Sequence, residues 1–444
     1  MPTENGDFAA KLTLTSVVLI GVAYMAPAIV VATFGVVAET SAGTTPLSYV
    51  VTTAAMLLTA LSYSKMARLF PGSGSVYTYA RRVLGSHAGF LAGWAILLDY
   101  FFLPAVAWLI QATYLHAQFP AVPVGVWLVS TIVVTTAINV LGIVLADRVN
   151  KALMAVTFVT LAVLAGVCLH HVAGHPTPLA QAFWNSVSSA SAVVAAAAIA
   201  AYSFLGFDAV TTLSEETIRP QGTIARAVVL IVVIGGLLFV AMGLVLQWAH
   251  PGGQFDNADS AGYEVARTVG GAGFAGVVNI ATIASFVASG LAVQASTSRL
   301  LHVMGRDAVL PRAFFGRLHP KLRTPVPALL LIGAVGLLGL AVDVEEAMSF
   351  INFGAFLGFT LVNLAVIGHF FAHRHDSPRP SAFGHLVLPA AGAVVTVFLL
   401  TQLGTTALVL GLIWLALGAV HLVVLTRGLR RPVPEFGPAV PGDA

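Results

Sequence analysis

Apolar residues run through this chain in long blocks rather than in alternation. Twelve blocks approach the about 20 residues a helix needs to cross a hydrocarbon core. They are 12–38, 44–64, 87–115, 123–144, 152–170, 190–213, 227–248, 272–298, 326–342, 347–370, 384–403 and 405–426. Polar residues collect in the gaps. In lipid a segment must satisfy its own backbone, so blocks of this length predict helices. The pattern predicts an all-α membrane protein with twelve transmembrane helices.

Two blocks are interrupted in their middle. Span 1 reads Leu19-Ile-Gly-Val-Ala-Tyr-Met-Ala-Pro-Ala28. Pro27 has no amide hydrogen and clashes with the preceding turn, so the helix should open near Tyr24 to Ala28. Span 6 reads Ala201-Tyr-Ser-Phe-Leu-Gly-Phe-Asp208, with Gly206 beside the polar Ser203 and Asp208. Each broken span is followed by a continuous one and then a glycine-rich end, Phe70-Pro-Gly-Ser-Gly74 and His250-Pro-Gly-Gly253. The broken spans lie five apart, and an odd offset makes the two five-span units cross in opposite directions. One kink alone reads as packing. Two in matching positions point to a transporter site at mid-membrane. The expected organisation is an N-terminus 1–11, a first unit 12–170, an inverted second unit 190–370, two further spans within 384–426, and a tail 427–444.

Composition agrees with burial in lipid: the chain is 58% hydrophobic and only 9% charged. Charge then orients it. All of the 21 Lys and Arg except Arg267 fall before span 1 or in alternate gaps. The positive-inside rule makes that side the cytoplasm, with both termini on it. The other side carries Glu39, Asp256, Asp259, Glu264, Asp343, Glu345 and Glu346, which read as solvated loop charges. A net charge of +3 without clustering argues against nucleic-acid binding. The lone Cys168 excludes an intramolecular disulfide, and no lysine follows a glycine, so there is no Gly-Lys phosphate loop. The first block is too long for a signal-peptide core and reads as a retained span.

Within the blocks two acids stand out, Asp99 and Asp208. A carboxylate in hydrocarbon is costly and is usually kept to meet a cation, a proton or a buried partner. Either acid could instead brace a broken helix. For Asp208 the two readings are balanced; for Asp99, in mid-span, the functional one leads.

Phe204-Leu-Gly-Phe-Asp-Ala-Val-Thr-Thr-Leu-Ser-Glu-Glu-Thr217 resembles the sixth-span signature of amino acid–polyamine–organocation permeases. So do Ser298-Arg-Leu-Leu-His-Val-Met-Gly-Arg-Asp307, Leu318-His-Pro-Lys-Leu-Arg-Thr-Pro325 and Ile351-Asn-Phe-Gly354. Gly93-Trp94 and Leu97-Leu-Asp-Tyr-Phe-Phe-Leu-Pro104 are similar to the third span of bacterial putrescine importers. The resemblance covers essentially the whole chain. It implies a five-plus-five inverted repeat with two extra spans, and proton-driven uptake through a central site. It places substrate against Tyr24, Met25, Ala26 and Pro27, against Ser203, Phe204, Leu205, Gly206, Phe207 and Asp208, and against Asp99 and Tyr100. The chain departs from the pattern at Ala32, where putrescine importers carry an aspartate. It departs again at the span 1 break, where many amino-acid carriers have Gly-Ser-Gly. The mid-span-5 lysine of some relatives is absent, since Lys151 lies at the end of that span.

Other residues have plainer readings beside the sharper ones. Tyr100, Phe204 and Phe207 offer faces to a cation, worth roughly 0.5–2 kcal/mol, or they pack; Phe207 is the gate candidate. Glu215 and Glu216 form an interfacial cap or ion pair near Arg219, or a cytoplasmic gate. Ser285 and Ser289 line a possible ion position, or bond their own helix. His369, His373 and His375, like His170, His171 and His175, read as interfacial residues, so no metal and no cofactor is expected. Arg299 to Arg323 reads as an amphipathic cytoplasmic helix on lipid headgroups, and the Pro-rich tail from Arg430 as disordered. The sequence thus predicts a carrier of a small cationic or amine-bearing metabolite, putrescine foremost, coupled to protons rather than sodium. A permease for neutral amino acids or other small solutes is the nearest rival. A membrane-embedded enzyme or a channel comes from other classes.

Overall fold

The computed structural model describes residues 11–72, 75–175, 177–255, 258, 261–340, 344–374, 380–403 and 405–433. The expectations placed on 1–10, Gly74, Asp256, Asp259, Asp343, His375, Arg379 and 434–444 lie outside them, as do the side chains of Glu345 and Glu346.

The first apolar block folds as three pieces, α1 (Leu14–Tyr24), α2 (Ile29–Ala32) and α3 (Phe34–Thr40). Then come α4 (Thr45–Leu69), a short α5 (Ser75–Leu84), α6 (Ser86–Gln118), α7 (Val124–Leu141), α8 (Ile143–Gly174) and the single turn α9 (Ala180–Phe183). The sixth block also divides. Helix α10 (Ala190–Ala200) gives way to two 3-10 segments, Ala201–Phe204 and Ala209–Glu216. After α11 (Pro220–Ala249) and α12 (Ala261–Arg306) come a turn α13 (Arg312–Phe315) and α14 (Val326–Gly336). Helices α15 (Val344–His373), α16 (Leu388–Thr401) and α17 (Thr405–Leu425) complete the chain.

Among the described residues, eleven helical stretches are long and apolar enough to cross a membrane. They match eleven of the twelve expected blocks. The ninth block forms a shorter apolar helix, Val326–Leu340. Lone Arg267 precedes Gly271, whose φ of +78° separates a leading piece of α12 from the span proper.

Close packing turns the helices into one body. Helix α11 lies along α4, and a Cβ on Gly236 would meet the Thr53 side chain at 2.3 Å. Trp94 of α6 and Trp414 of α17 each donate an indole N–H to the other's carbonyl, which ties the last span to the bundle. At α6, Pro104 cannot donate to the carbonyl of Tyr100 four residues back. The Thr297 hydroxyl of α12 donates to it instead, at 2.6 Å.

One expectation fails on the Lys- and Arg-rich side, and a second, the disordered tail, is tested only at residues 430–433. The run from Arg299 to Arg323 is not a lipid-facing helix. Helix α12 continues unbroken to Arg306, and Arg299 is 1% exposed. Its charge is met inside the protein, so nothing drives it to a headgroup. Only the turn α13 follows before α14. The tail is also ordered where it begins. Val433 is buried; its carbonyl accepts from Arg81, and its N–H donates to Ser86. Arg81 in turn donates to Tyr77, whose hydroxyl donates to Asp307. Burial, and after it the Asp307 charge, push the Tyr77 phenol up, while Arg81 opposes them.

Candidate functional site

The α1 break begins where the helix stops at Tyr24. Ala26 takes a left-handed φ of +48°, and the chain resumes as α2. The break leaves no free amide. Met25 donates to Gly21, Ala26 to Ala23 and Ile29 to Ala26, while Pro27 has no N–H. Ala28 donates to the Ser285 hydroxyl at 3.2 Å, and the Ser289 hydroxyl donates to the Tyr24 carbonyl at 2.8 Å. The two serines therefore do not bond their own helix; they span the gap from α12 to the opened backbone of α1.

The second break faces the first. Gly206 sits at φ +97°, and a Cβ there would meet the Tyr24 ring at 1.7 Å. Only glycine can both turn the chain and let the ring lie on it. Phe204 packs edge-on against Phe239, and Phe207 edge-on against Tyr63 and tilted against Phe359. Phe204 is thus turned into the α11 contact, while Phe207 sits among the rings around Asp208. The Ser203 hydroxyl lies 3.4 Å from that of Tyr49.

Asp99 and Asp208 are both fully buried. Their surroundings differ. One oxygen of Asp208 accepts from the Tyr100 hydroxyl at 2.7 Å and the Tyr63 hydroxyl at 3.1 Å; the other has no partner. Neither oxygen of Asp99 has one. The Tyr24 hydroxyl is also without a partner, and its ring lies 6.4 Å from that of Tyr100. Leaving an ionised carboxylate buried and unpaired costs several kcal/mol. A carboxyl buried in this way must hold a proton or meet a cation.

A cavity of about 20 Å³ lies between the breaks, bordered by Tyr24, Met25, Leu103, Tyr202, Leu205 and Ser289. It has room for about one water. It is not solute-sized, and neither aspartate borders it. This conformation offers no solute-sized space between the two breaks.

A family model described as amino acid permease matches residues 16–418. This chain belongs to the amino acid permease family. The permease is 36% identical over 441 residues to the low-affinity putrescine importer PlaP of Escherichia coli, covering 98% of this chain and 97% of that one. It is 26% identical over 413 residues to the branched-chain amino acid permease BcaP of Bacillus subtilis, covering 86% and 85%. It is 26% identical over 454 residues to the methylthioribose transporter of the same species, covering 96% and 95%. The permease is a multi-pass membrane transporter, not an enzyme.

Below the second break, the permease joins spans through charge. Glu216 accepts from Arg299 through both oxygens, at 2.8 and 3.0 Å, with both side chains nearly inaccessible. Glu215 accepts from Arg306 in the same two-pronged way. The partner expected for this pair, Arg219, is exposed and caps α11 in a left-handed conformation instead. Backbone bonds add to the clasp: Lys11 and Leu12 donate to the Glu216 carbonyl, and Ile218 donates to that of Leu12. Lys151 bonds Ser16 and Asp147, tying the end of α8 to α1.

The histidine groups remain apart from all this. His369 and His373 meet with tilted rings near the end of α15, and His171 and His175 stack near the end of α8. No metal-binding cluster occurs among the described residues.

Sequence reasoning passed over Tyr63 and Arg299. The polar run Ser62-Tyr63-Ser64 within an apolar span was the available signal for the first. Arg299 gave none, since its partner is 83 positions away.

Proposed function

We propose that this permease imports a small amine-bearing cation, putrescine or a similar polyamine, by proton symport. The observation that carries this reading is the unpartnered, fully buried carboxylate of Asp99, one residue from the Tyr100 that grips Asp208. A guest ammonium would supply the missing charge at Asp99, and a diamine or a proton would supply it at Asp208. The rings of Tyr24, Tyr100 and Phe207 would offer their faces to the same cation. The 36% identical putrescine importer supports the amine.

The α1 break supports it too. Its amides are bonded within the protein, so none is left to hold the carboxylate of an α-amino acid. Ser289 donates to the Tyr24 carbonyl, so that oxygen is already engaged and offers less to a sodium ion. The proposed substrate contacts are Tyr24, Met25, Ala26, Pro27, Asp99, Tyr100 and residues 203–208.

In this reading twelve spans form a five-plus-five inverted repeat with two further helices. Units 12–170 and 190–370 move against each other, with both termini in the cytoplasm. The closed cavity must widen for loading. The clasp of Glu215 and Glu216 on Arg306 and Arg299 must part for release.

Liposomes carrying the purified protein test this under an inward proton gradient. Labelled putrescine should accumulate above equilibrium, while a panel of amino acids should not. Accumulation of a neutral amino acid without putrescine would overturn the amine reading.

A further inference from the structure

Asp208 does not end its hydrogen bonding at Tyr100. The Tyr100 hydroxyl that donates to Asp208 lies 3.4 Å from the hydroxyl of Ser75. Ser75 is the first residue of α5, the short helix between α4 and α6, which carries Arg81 and Arg82 in its last turn. A file of hydroxyls therefore leads from the buried acid toward the Lys- and Arg-rich side of the molecule. All three residues are shut off from bulk solvent in this conformation.

Two further facts mark Ser75. Its φ is +47°, a left-handed conformation that costs an ordinary residue roughly 1–2 kcal/mol. That conformation is where its hydroxyl reaches Tyr100. Tyrosines and a second acid surround Asp208 among the described residues. Asp208 is faced by Tyr63 from α4, Tyr79 from α5, Asp99 and Tyr100 from α6 and Tyr24 from α1. No lysine, arginine or histidine among the described residues bonds either acid.

We infer that Ser75 and Tyr100 form the path by which Asp208 exchanges its proton with the Lys- and Arg-rich side. This rests on the proton-symport reading above and deepens it. In the outward step the Asp208 carboxyl proton passes to the Tyr100 oxygen as the Tyr100 hydroxyl proton passes to the Ser75 oxygen. The Ser75 proton leaves to water when the end of α5 opens. One proton crosses, each hydroxyl ends with one hydrogen, and Asp208 is left as the carboxylate. Ser75 acts here as a positioning residue, since it touches Tyr100 and not the substrate.

The test uses Ser75→Gly, which removes the hydroxyl and suits the positive φ. Proteoliposomes are assayed for exchange of labelled putrescine without a gradient, for accumulation under a proton gradient, and for protons moved per putrescine. The variant should keep exchange near the wild-type rate and lose about ten-fold or more of gradient-driven accumulation. Its protons per putrescine should fall toward zero, and Tyr100→Phe should show the same fall. A Ser75→Gly protein with the wild-type proton ratio would overturn the relay alone. A wild-type protein that takes up putrescine without moving protons would overturn the symport reading, and the relay with it.

Discussion

The Ser289 hydroxyl donates to the carbonyl of Tyr24 at 2.8 Å, joining residues 265 positions apart. Helix α12 thereby holds the opened end of α1 at the point where the backbone loses its own partners. Together with Ser285 it supplies both a donor and an acceptor to the break. Ser289→Ala would strip the Tyr24 carbonyl of that donor. The expected cost is about 1–3 kcal/mol, the desolvation of a buried acceptor. It should appear as a lower Tm in detergent together with a raised KM for uptake. An unchanged Tm would show that another group fills in.

Asp99→Asn keeps the shape of the side chain and removes its charge. Truncating one partner of a buried charge contact costs roughly 2–5 kcal/mol, so uptake of an amine cation should fall on the order of 100-fold. Membrane insertion, read by fluorescence-detected size exclusion, should not change. Normal uptake by this variant would make Asp99 a scaffold residue.

Gly206→Ala would suffer twice. The residue needs φ +97°, and the added carbon would strike the Tyr24 ring. Strain of roughly 1–2 kcal/mol would add to overpacking of about 1–3 kcal/mol. Shortening the ring in Tyr24→Ala relieves only the second. The double variant should therefore recover part of the lost Tm and no more; full recovery would mean that the backbone there tolerates a side chain.

Glu216→Gln leaves Arg299 buried without its counter-charge. Such a break costs about 3–5 kcal/mol. Replacing both, as Glu216→Gln with Arg299→Met, should return much of the stability, because the stranded charge goes too. A double variant as unstable as the single one would show that Arg299 is held mainly by the Ala295 carbonyl and the Ser298 hydroxyl.

Local chemistry made the centre of this protein readable from its sequence. Pro27 and Gly206 each interrupt a helix for reasons that need no neighbours, and the structure opens the chain at both. Asp99 and Asp208 were visible because charge is rare in apolar blocks. What was not readable depends on distant partners. Arg299 looks like any surface arginine until Glu216 is placed beside it, and a run of six basic residues between 299 and 323 reads as a lipid-facing helix for the same reason. Val433 sits in a Pro-rich tail, and only Arg81 and Ser86, more than 300 positions earlier, explain its burial. The ninth block, expected at 326–342, forms an apolar helix over Val326–Leu340, close to its hydropathy bounds.

The amides of the α1 break are all bonded within the protein, and this bears on what the turn can recognise. With no N–H from Met25 to Ala28 left to greet a carboxylate, recognition of an acidic group there falls to side chains, which single codon changes can swap while the framework stands.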